Sequence, residues 1–359
     1  MDSLTQLTLG AAVGEAVAGK QAGAKAPLWG AALGTLPDLD VLANPFLSES
    51  QALVFHRSAS HSLLFALIVT GLAGWGLARL HRSSEVPIRR WALLAGAVLL
   101  THIGLDCLTT YGTQVFWPFS SYPVIIGTVF IIDPLYTVPL ATGLLASLWW
   151  PAAHRRRRWA NYIGLGLSSV YLLVTIGNKI HVEQVFTDSL RAQDLPAERV
   201  FTKPTAFNNL LWAAISESED GFYVGLYSLL DDDQQVAFQY VPKQHDLLSE
   251  YENTRILTRL RQFSRGYYAA GRGPDGSLEV YDLRFGRSDL RLTDAGRYIF
   301  TFKLITNETG ELVGIRQSRP EVRPTSDLLR RFVSRIQGRA AHNGPPEAPV
   351  APVSSRPSD

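Results

Sequence analysis

The sequence predicts an α-helical polytopic membrane domain followed by a soluble α+β domain with mainly antiparallel strands. The acidic residues are unevenly distributed, since only eight of the 32 precede residue 179 and the other 24 follow it. Long apolar stretches fill the first half, whereas short aromatic and β-branched segments alternate with turn residues after residue 185. The two halves are therefore suited to different solvents. The net charge of +2 averages over both halves and does not indicate a nucleic-acid partner.

Four stretches have the length and apolar content of a transmembrane helix, which needs roughly 17 to 25 residues. They cover about residues 62–78, 91–108, 129–150 and 159–177. The ends carry Trp91, Trp149, Trp150 and Trp159, and tryptophan favours the membrane interface. A soluble bundle of four buried helices is the alternative. It is disfavoured because none of the stretches has the polar stripe of a surface helix.

The first 55 residues are rich in glycine and alanine and only moderately apolar. They predict a pair of small-residue helices packed against the bundle, since glycine and alanine allow close helix contact in membranes. Whether this pair crosses the membrane stays open. The start MDSLTQLTLG has no basic segment of the kind that begins a cleavable signal peptide. Insertion is therefore expected from the internal spans.

Arginines predict the orientation of the bundle. Four lie between the first two spans and four between the third and fourth, whereas residues 107–128 contain no lysine or arginine. The eight are Arg79, Arg82, Arg89, Arg90, Arg155, Arg156, Arg157 and Arg158. Because basic loops stay in the cytoplasm, residues 107–128 and the chain after about residue 178 are expected on the outer side of a cell (inner) membrane.

The second half predicts a soluble extracytoplasmic α+β domain over residues 185–337, after a membrane domain over residues 1–180. Strand-like segments cover about residues 199–218, 221–231, 235–242, 266–273, 277–286 and 297–306. Residues 254–265, TRILTRLRQFSR, have the apolar spacing of a helix. The Pro/Ala/Ser-rich tail, residues 338–359, is predicted to be disordered.

Polar clusters interrupt the apolar half, where ionisable side chains are costly unless they are paired or bind a cation. Cys107 is the single cysteine, so a metal site here would use histidine and carboxylate ligands. The clusters contain Asp38 and Asp40 (PDLD), His56, Arg57 and His61 (HRSASH), His102 and Asp106 (THIGLD), and Asp133 (IIDP). Each cluster is therefore a candidate functional site.

Spacing and topology bring these clusters together. His102 and Asp106 are four residues apart, hence on one helix face, and Asp38 and Asp40 follow a proline, which favours a turn or extended segment with both carboxylates on one side. His56 and His61 are five apart and do not share a helix face, so His56 is expected in the turn that precedes the helix opened by His61. The predicted topology places all these groups at one leaflet.

Six further polar residues have interpretations other than metal binding. Asp133 precedes Pro134 and is expected to cap the third span rather than to bind metal. Glu15 is expected to pair with a neighbouring helix, and the serines of HRSASHS are expected to cap the following helix. Arg57 has two open interpretations, a substrate phosphate or lipid headgroups.

The first half resembles the YdjM-like membrane-bound metal-dependent hydrolase family. The resemblance rests on the order of MDSLTQLTLGAAVGEA, GTLPDLDV, HRSASHSLL, THIGLDCLTTYGTQVFWPFS and IDPLYT, over about residues 1–180. It implies that the family's polar signature here is Asp38, Asp40, His56, His61, His102 and Asp106, with residues 109–119 forming a loop beside them. Tyr111 and Trp117 of that loop become candidate substrate-binding residues. Gln6 departs from the family pattern, which has a histidine after Thr5.

These observations predict a membrane-bound metal-dependent hydrolase that acts on an ester or phosphoester of a lipid-linked or amphiphilic substrate. The divalent ion is expected to be zinc, with manganese or magnesium as alternatives. His56 or an aspartate that does not bind the metal is the candidate general base. The expected ligands of the ion are His61, His102, Asp106 and one or both of Asp38 and Asp40. The alternative is a non-catalytic, metal-stabilised membrane protein whose soluble domain binds a partner. Ion transport is disfavoured because the inner halves of the spans are apolar.

Overall fold

The computed structural model describes residues 1–83, 85–290, 296–318 and 325–339. It contains a helical half followed by a domain of two antiparallel sheets, which confirms the predicted fold class. The predicted disordered tail lies outside the described residues, apart from its first two positions.

Two small-residue helices open the chain, as predicted. They are α1 (Ser3–Ala22) and α2 (Lys25–Thr35). Their backbones touch at glycines, because a Cβ atom added at Gly14 would lie 2.5 Å from the carbonyl oxygen of Ala26. Residues of both helices share one buried apolar cluster with the rest of the helical half. The pair therefore packs into the bundle.

The helical half continues with α3 (Glu49–Phe55), α4 (Leu63–Leu80), α5 (Ile88–Cys107), α6 (Pro134–Ser147) and α7 (Arg155–Ala192). Among the described residues three helices, α4, α5 and α7, are long and apolar enough to cross a membrane. At 1.5 Å per residue α7 is about 57 Å long, and the hydrocarbon layer is about 30 Å thick. Its polar C-terminal turns therefore extend beyond the apolar region.

The third predicted span is shorter than expected. Helix α6 has 14 residues, and it begins at Pro134 because the Asp133 side chain accepts a hydrogen bond from the Leu135 amide. Asp133 also accepts a hydrogen bond from the Tyr171 hydroxyl at 2.8 Å. The aspartate is therefore a helix cap, as the sequence predicted.

Glu15 of α1 and Arg157 of α7 form a buried ion pair. The guanidinium donates to both carboxylate oxygens, at 2.6 and 2.7 Å. Glu15 is 3% exposed and Arg157 is 5% exposed, so the pair is removed from water. The predicted helix partner of Glu15 is therefore an arginine of the 155–158 run.

The second domain has four layers in the order helix, sheet, sheet, helix. The first sheet contains β1 (Val200–Pro204), β2 (Leu211–Glu217), β3 (Gly221–Ser228) and β4 (Phe238–Pro242) in chain order. The second contains β5 (Tyr268–Arg272), β6 (Leu278–Arg287), β7 (Tyr298–Thr306) and β8 (Leu312–Ser318), also in chain order. All neighbouring strands are antiparallel.

Alternation along the strands decides what each sheet face contacts. Trp212 of β2 packs against Phe186 of α7, whereas Ile215 packs between the sheets. Helix α8 (Arg255–Ser264) covers the far face of the second sheet. Strand β8 and helix α9 (Ser326–Ile336) were not predicted.

The second domain contacts the loops at one end of the helical bundle. Asn209 donates to the Thr128 carbonyl at 2.7 Å, and the Gln317 amide donates to Glu49 at 2.6 Å. Residues of α8 also reach these loops, since Gln262 donates to the Ser121 carbonyl at 3.2 Å. The domain is therefore fixed over that end of the bundle.

We predict that Glu15→Gln destabilises the protein by about 3–5 kcal/mol, because it leaves the Arg157 charge buried and unpaired. Asp327→Asn is the matched control, since it removes a carboxylate from an exposed ion pair with Arg331, which is worth about 0–1 kcal/mol. Reversible unfolding of the protein in detergent measures both changes. Equal free energies of unfolding for the two variants would contradict the role of Glu15.

A candidate metal centre

Helix α5 supplies two of the candidate ligands from its last two turns. His102 Nε2 lies 3.7 Å from Asp106 Oδ2, because residues four apart stack on one face of a helix. Both side chains are 1% exposed. The predicted His–Asp pair is therefore present, at the end of α5 that faces the second domain.

Asp38 and His61 come from two short 3₁₀ helices, Pro37–Phe46 and Ala59–His61. The prediction of a turn or extended PDLD segment is wrong, and this changes the directions of its carboxylates. Residues two apart in a 3₁₀ helix, with three residues per turn, diverge by about 120°. Asp38 therefore joins the α5 pair, whereas Asp40 points elsewhere.

Asp38, His61, His102 and Asp106 each offer one ligand atom, and these four atoms lie within 4.8 Å of one another. His61 Nε2 is 3.3 Å from Asp38 Oδ1 and 3.4 Å from Asp106 Oδ2, and His102 Nε2 is 3.8 Å from Asp38 Oδ1. A tetrahedral zinc with ligands at about 2.0–2.1 Å separates its ligand atoms by about 3.3–3.4 Å. Two of the separations match this spacing and the others are wider, so the four side chains are close enough to converge on one small divalent ion.

Both imidazole rings are oriented by protein groups at their outer nitrogens. His102 Nδ1 donates to the Gly34 carbonyl at 2.8 Å, which leaves Nε2 with a free lone pair. The Ser60 hydroxyl donates to Asp40 at 2.9 Å, and its oxygen lies 2.9 Å from His61 Nδ1, from which it can accept. Such outer partners hold a histidine in the tautomer that binds metal.

Two buried atoms of the cluster have no hydrogen-bond partner, His102 Nε2 and Asp106 Oδ2. Buried polar atoms are nearly always hydrogen-bonded, and each unsatisfied one needs an explanation. Both atoms point into the space between the four side chains. A cation at this position would satisfy both of them.

Asp40 lies behind His61 and binds His56. His56 Nδ1 is 2.8 Å from one Asp40 oxygen, and the other oxygen accepts the Arg57 amide at 3.1 Å. Asp40 is 3.6 Å from His61 Nδ1, on the opposite side of that ring from the cluster. The residue predicted as an alternative ligand thus occupies a supporting position. His56 is 24% exposed at its side chain.

Arg57 is buried beside Asp106. Its Nη1 donates to Thr109 at 2.8 Å, and its Nε is 3.2 Å from Asp106 Oδ2 without the alignment of a hydrogen bond. The guanidinium also lies 5.1 Å from the centre of the Tyr111 ring. These contacts give Arg57 a place in the interior that neither sequence interpretation described.

Charge–charge contacts shift the pKa values of the groups on the loops. Burial acts to raise the pKa of Asp38, but its hydrogen bond with His61 and the charge of His102 lower it below the usual value. Burial also acts to raise the pKa of Asp40, and the contact with His56 outweighs it. Burial lowers the pKa of His61, yet Asp106 and Asp38 raise it overall. The cluster therefore favours positive charge at its centre.

Tyr111 joins the cluster to the second domain. Its ring centre lies 5.3 Å from that of His56 and 5.1 Å from that of Phe263 in α8. Burial raises the pKa of Tyr111 to about 12, so the phenol stays neutral and donates to the Leu53 carbonyl at 3.3 Å. Trp117, the second predicted substrate-binding residue, lies further along the loop and is 39% exposed.

Three neighbours of the cluster were not predicted as site residues. Gln6 Nε2 donates to Asp106 Oδ1 at 3.0 Å, and the Met1 amine also donates to that oxygen. Thr109 connects Arg57 to the end of α5. The family pattern had marked position 6, but not its contact with Asp106, because the contacts of Gln6 and Met1 depend on how α1 packs across α5. The contact of Thr109 depends on the approach of Arg57 to the end of α5.

Comparison with known proteins concerns the helical half. A sequence model of the family described as YdjM inner membrane protein matches residues 1–181. The chain is also similar to the inner membrane protein YbcI of Escherichia coli (strain K12), with 34% identity over 143 residues, covering 34% of this chain and 81% of that protein. No solved structure matches. The family match thus includes the whole cluster and excludes the two-sheet domain.

We predict that His102→Ala abolishes stoichiometric binding of a divalent metal, because it removes one of four converging ligand atoms. Elemental analysis of purified protein after loading and desalting measures this. Asp133→Asn is the matched control, since Asp133 is a buried aspartate of the same half that caps α6. Full metal content in His102→Ala, or equal loss in both variants, would contradict the ligand assignment.

We also predict that Asp40→Asn weakens metal binding by about 10–100-fold without abolishing it, because Asp40 orients His61 through Ser60. Titration of the apoprotein against a chromophoric chelator gives the dissociation constant. A complete loss of binding would instead make Asp40 a ligand, and an unchanged constant would remove its supporting role.

Proposed function

The chain belongs to the YdjM inner membrane protein family, and from that membership and the geometry of the cluster we propose that it is a membrane-bound, metal-dependent hydrolase. The observation that carries the proposal is that two imidazoles, each held by a protein group at Nδ1, converge with two carboxylates. Asp38, His61, His102 and Asp106 would hold one divalent ion. Zinc is the proposed metal because mixed imidazole and carboxylate ligands at tetrahedral spacing suit it.

A divalent ion held by these four residues would supply a bound water of lowered pKa and would polarise an acyl or phosphoryl oxygen. The proposed general base is His56, whose ring centre lies 5.8 Å from that of His61. Asp40 accepts the Nδ1 proton of His56 and leaves Nε2 to take a proton from water and return it to the leaving group. Arg57 holds Asp106 in place from the interior.

The open side of the site is the side of Asp38, whose side chain is 16% exposed, in contrast to 0–1% for the other three. The 3₁₀ helix that carries Asp38 also presents exposed apolar side chains, Leu39, Leu42 and Phe46, at 50%, 67% and 87% exposure. An apolar surface beside a polar centre, at the ends of α4 and α5, suits an amphiphilic substrate. We propose a lipid-linked ester or phosphoester, reached from the extracytoplasmic leaflet that the arginine distribution favours.

One observation favours the alternative, a metal site without catalysis. Four protein ligands complete a tetrahedral shell, as in structural zinc sites, whereas catalytic sites keep one position open. Hydrolysis would require a water to bind the metal. Either Asp38 would leave the metal, or the metal would accept a fifth ligand. A measurement of hydrolytic activity therefore distinguishes a hydrolase from a protein whose metal site has no catalytic role.

We predict that the zinc-loaded protein in lipid vesicles hydrolyses a phosphoester or ester of a lipid-linked substrate, and that His56→Ala lowers kcat by about 10²–10⁴-fold. The metal content of His56→Ala stays at the wild-type level, because His56 is not among the four ligand residues. His154→Ala is the matched control, since His154 caps α7 away from the cluster.

Product release from a panel of lipid phosphoesters and esters is measured with zinc, manganese and magnesium in turn. A wild-type protein that binds metal but is inactive on the whole panel supports the non-catalytic alternative. Wild-type kcat in His56→Ala would remove this residue from the mechanism.

A further inference from the structure

A cleft of about 1210 Å³ opens in the second domain, away from the metal cluster. Its floor is the part of the first sheet that the second sheet leaves uncovered, where Lys203 of β1 lies opposite Ala213 of β2. Gly286 and Arg287 at the end of β6 form part of the opposite wall. The cleft belongs to the region outside the family match, so its role is separate from that of the metal centre.

Lys203 is a buried cation that has no hydrogen-bond or ion-pair partner among the residues that the structure describes. The residue is 7% exposed and lines the cleft. Asp282 is the carboxylate whose charge acts to raise the pKa of Lys203. Asp282 is already bound by Arg284, which donates to it at 2.6 and 3.1 Å. No hydrogen bond or ion pair joins Lys203 to any residue in the described ranges.

This environment leaves the ammonium group short of negative charge. Burial lowers the pKa of Lys203 to about 8, with Asp282 opposing and Arg284 reinforcing the shift. The side chain therefore still carries its proton at neutral pH, although burying an unpaired charge is costly. An anion in the cleft would supply the missing counter-charge and hydrogen-bond acceptor.

The backbone next to the amine leaves room for such an anion. Gly286 has φ +74°, and a Cβ atom added there would lie 3.8 Å from Lys203 Nζ. Across the strand pair the neighbour is Ala213, a residue with a single side-chain carbon. Small residues on both sides keep the end of the lysine side chain accessible from the cleft.

The other charged groups that line the cleft restrict the size and charge of the ligand. Arg335 is bound to Asp231 through two hydrogen bonds, at 2.5 and 2.8 Å, and Arg287 lies 3.3 Å from Asp289. Asp188, Asp232, Asp233 and Arg339 also line the cleft and are exposed. Because three exposed aspartates outnumber the one exposed arginine, the mouth disfavours polyanions, whereas one anionic group can reach Lys203.

We propose that this cleft binds a small molecule with a single carboxylate or phosphate group, and that Lys203 is the residue that binds the anion. The outer part of the ligand would carry hydroxyl or amino groups that suit the acidic mouth. A nucleic acid or an extended polyphosphate does not fit this charge arrangement.

The test uses the full chain in detergent micelles, with sodium acetate and sodium phosphate as probes and sodium chloride at equal ionic strength as reference. An amine-acylating reagent is applied in each salt, and peptide mass spectrometry gives the acylation rate of each lysine. We expect Lys203 to react in chloride and its rate to fall saturably, at least fivefold, in acetate or phosphate. Lys303, which is exposed and paired with Asp275, should react equally in all three salts.

A second measurement compares the melting temperature of Lys203→Met and of the matched control Lys303→Met in the same salts. The probe that protects Lys203 should raise the melting temperature of wild type and Lys303→Met but not of Lys203→Met. Protection by acetate alone or phosphate alone identifies the ligand as a carboxylate or a phosphate. Equal acylation of Lys203 in all salts, no acylation in chloride, or an equal thermal shift in both variants would each overturn the proposal.

Discussion

The helical half depends on one electrostatic constraint, the placement of a buried carboxylate, Asp106, and a partly buried one, Asp38, beside two buried imidazoles at the end of a candidate membrane helix. Ionised groups in such a place are costly unless a cation compensates them. Arg57 and the Met1 amine lie on one side of Asp106, yet Asp106 Oδ2 and His102 Nε2 still lack hydrogen-bond partners. A divalent ion between the four side chains would resolve this deficit, and the orientation of both histidine rings agrees with such an ion.

The packing of the two small-residue helices makes this arrangement possible. Contact between glycines brings α1 and α2 together, and from there Gln6 reaches Asp106 while the Gly34 carbonyl reaches His102. The second domain completes the enclosure, since Tyr111 packs between His56 and Phe263. Residues from three parts of the chain thus fix the site, and only the α5 pair is determined by local helix geometry.

The parts predicted from sequence were those governed by local periodicity or strong polarity contrasts. Three candidate membrane helices of the four predicted spans, most strands and the His102–Asp106 pair follow from apolar length, alternation and i,i+4 spacing. The 3₁₀ helix at Asp38 was not predictable, because a proline start is compatible with both a turn and a tight helix. Likewise α9 has amphipathic spacing but no buried residue, and the contacts of Gln6 and Thr109 arise from tertiary packing alone.

X-ray absorption spectroscopy of the zinc-loaded protein tests the central claim most directly, because it counts imidazole ligands without relying on activity. The four-residue cluster predicts a first shell of nitrogen and oxygen atoms at about 2.0–2.1 Å that includes two imidazoles. A spectrum with fewer than two imidazoles, or with sulfur from Cys107 in the first shell, would contradict it.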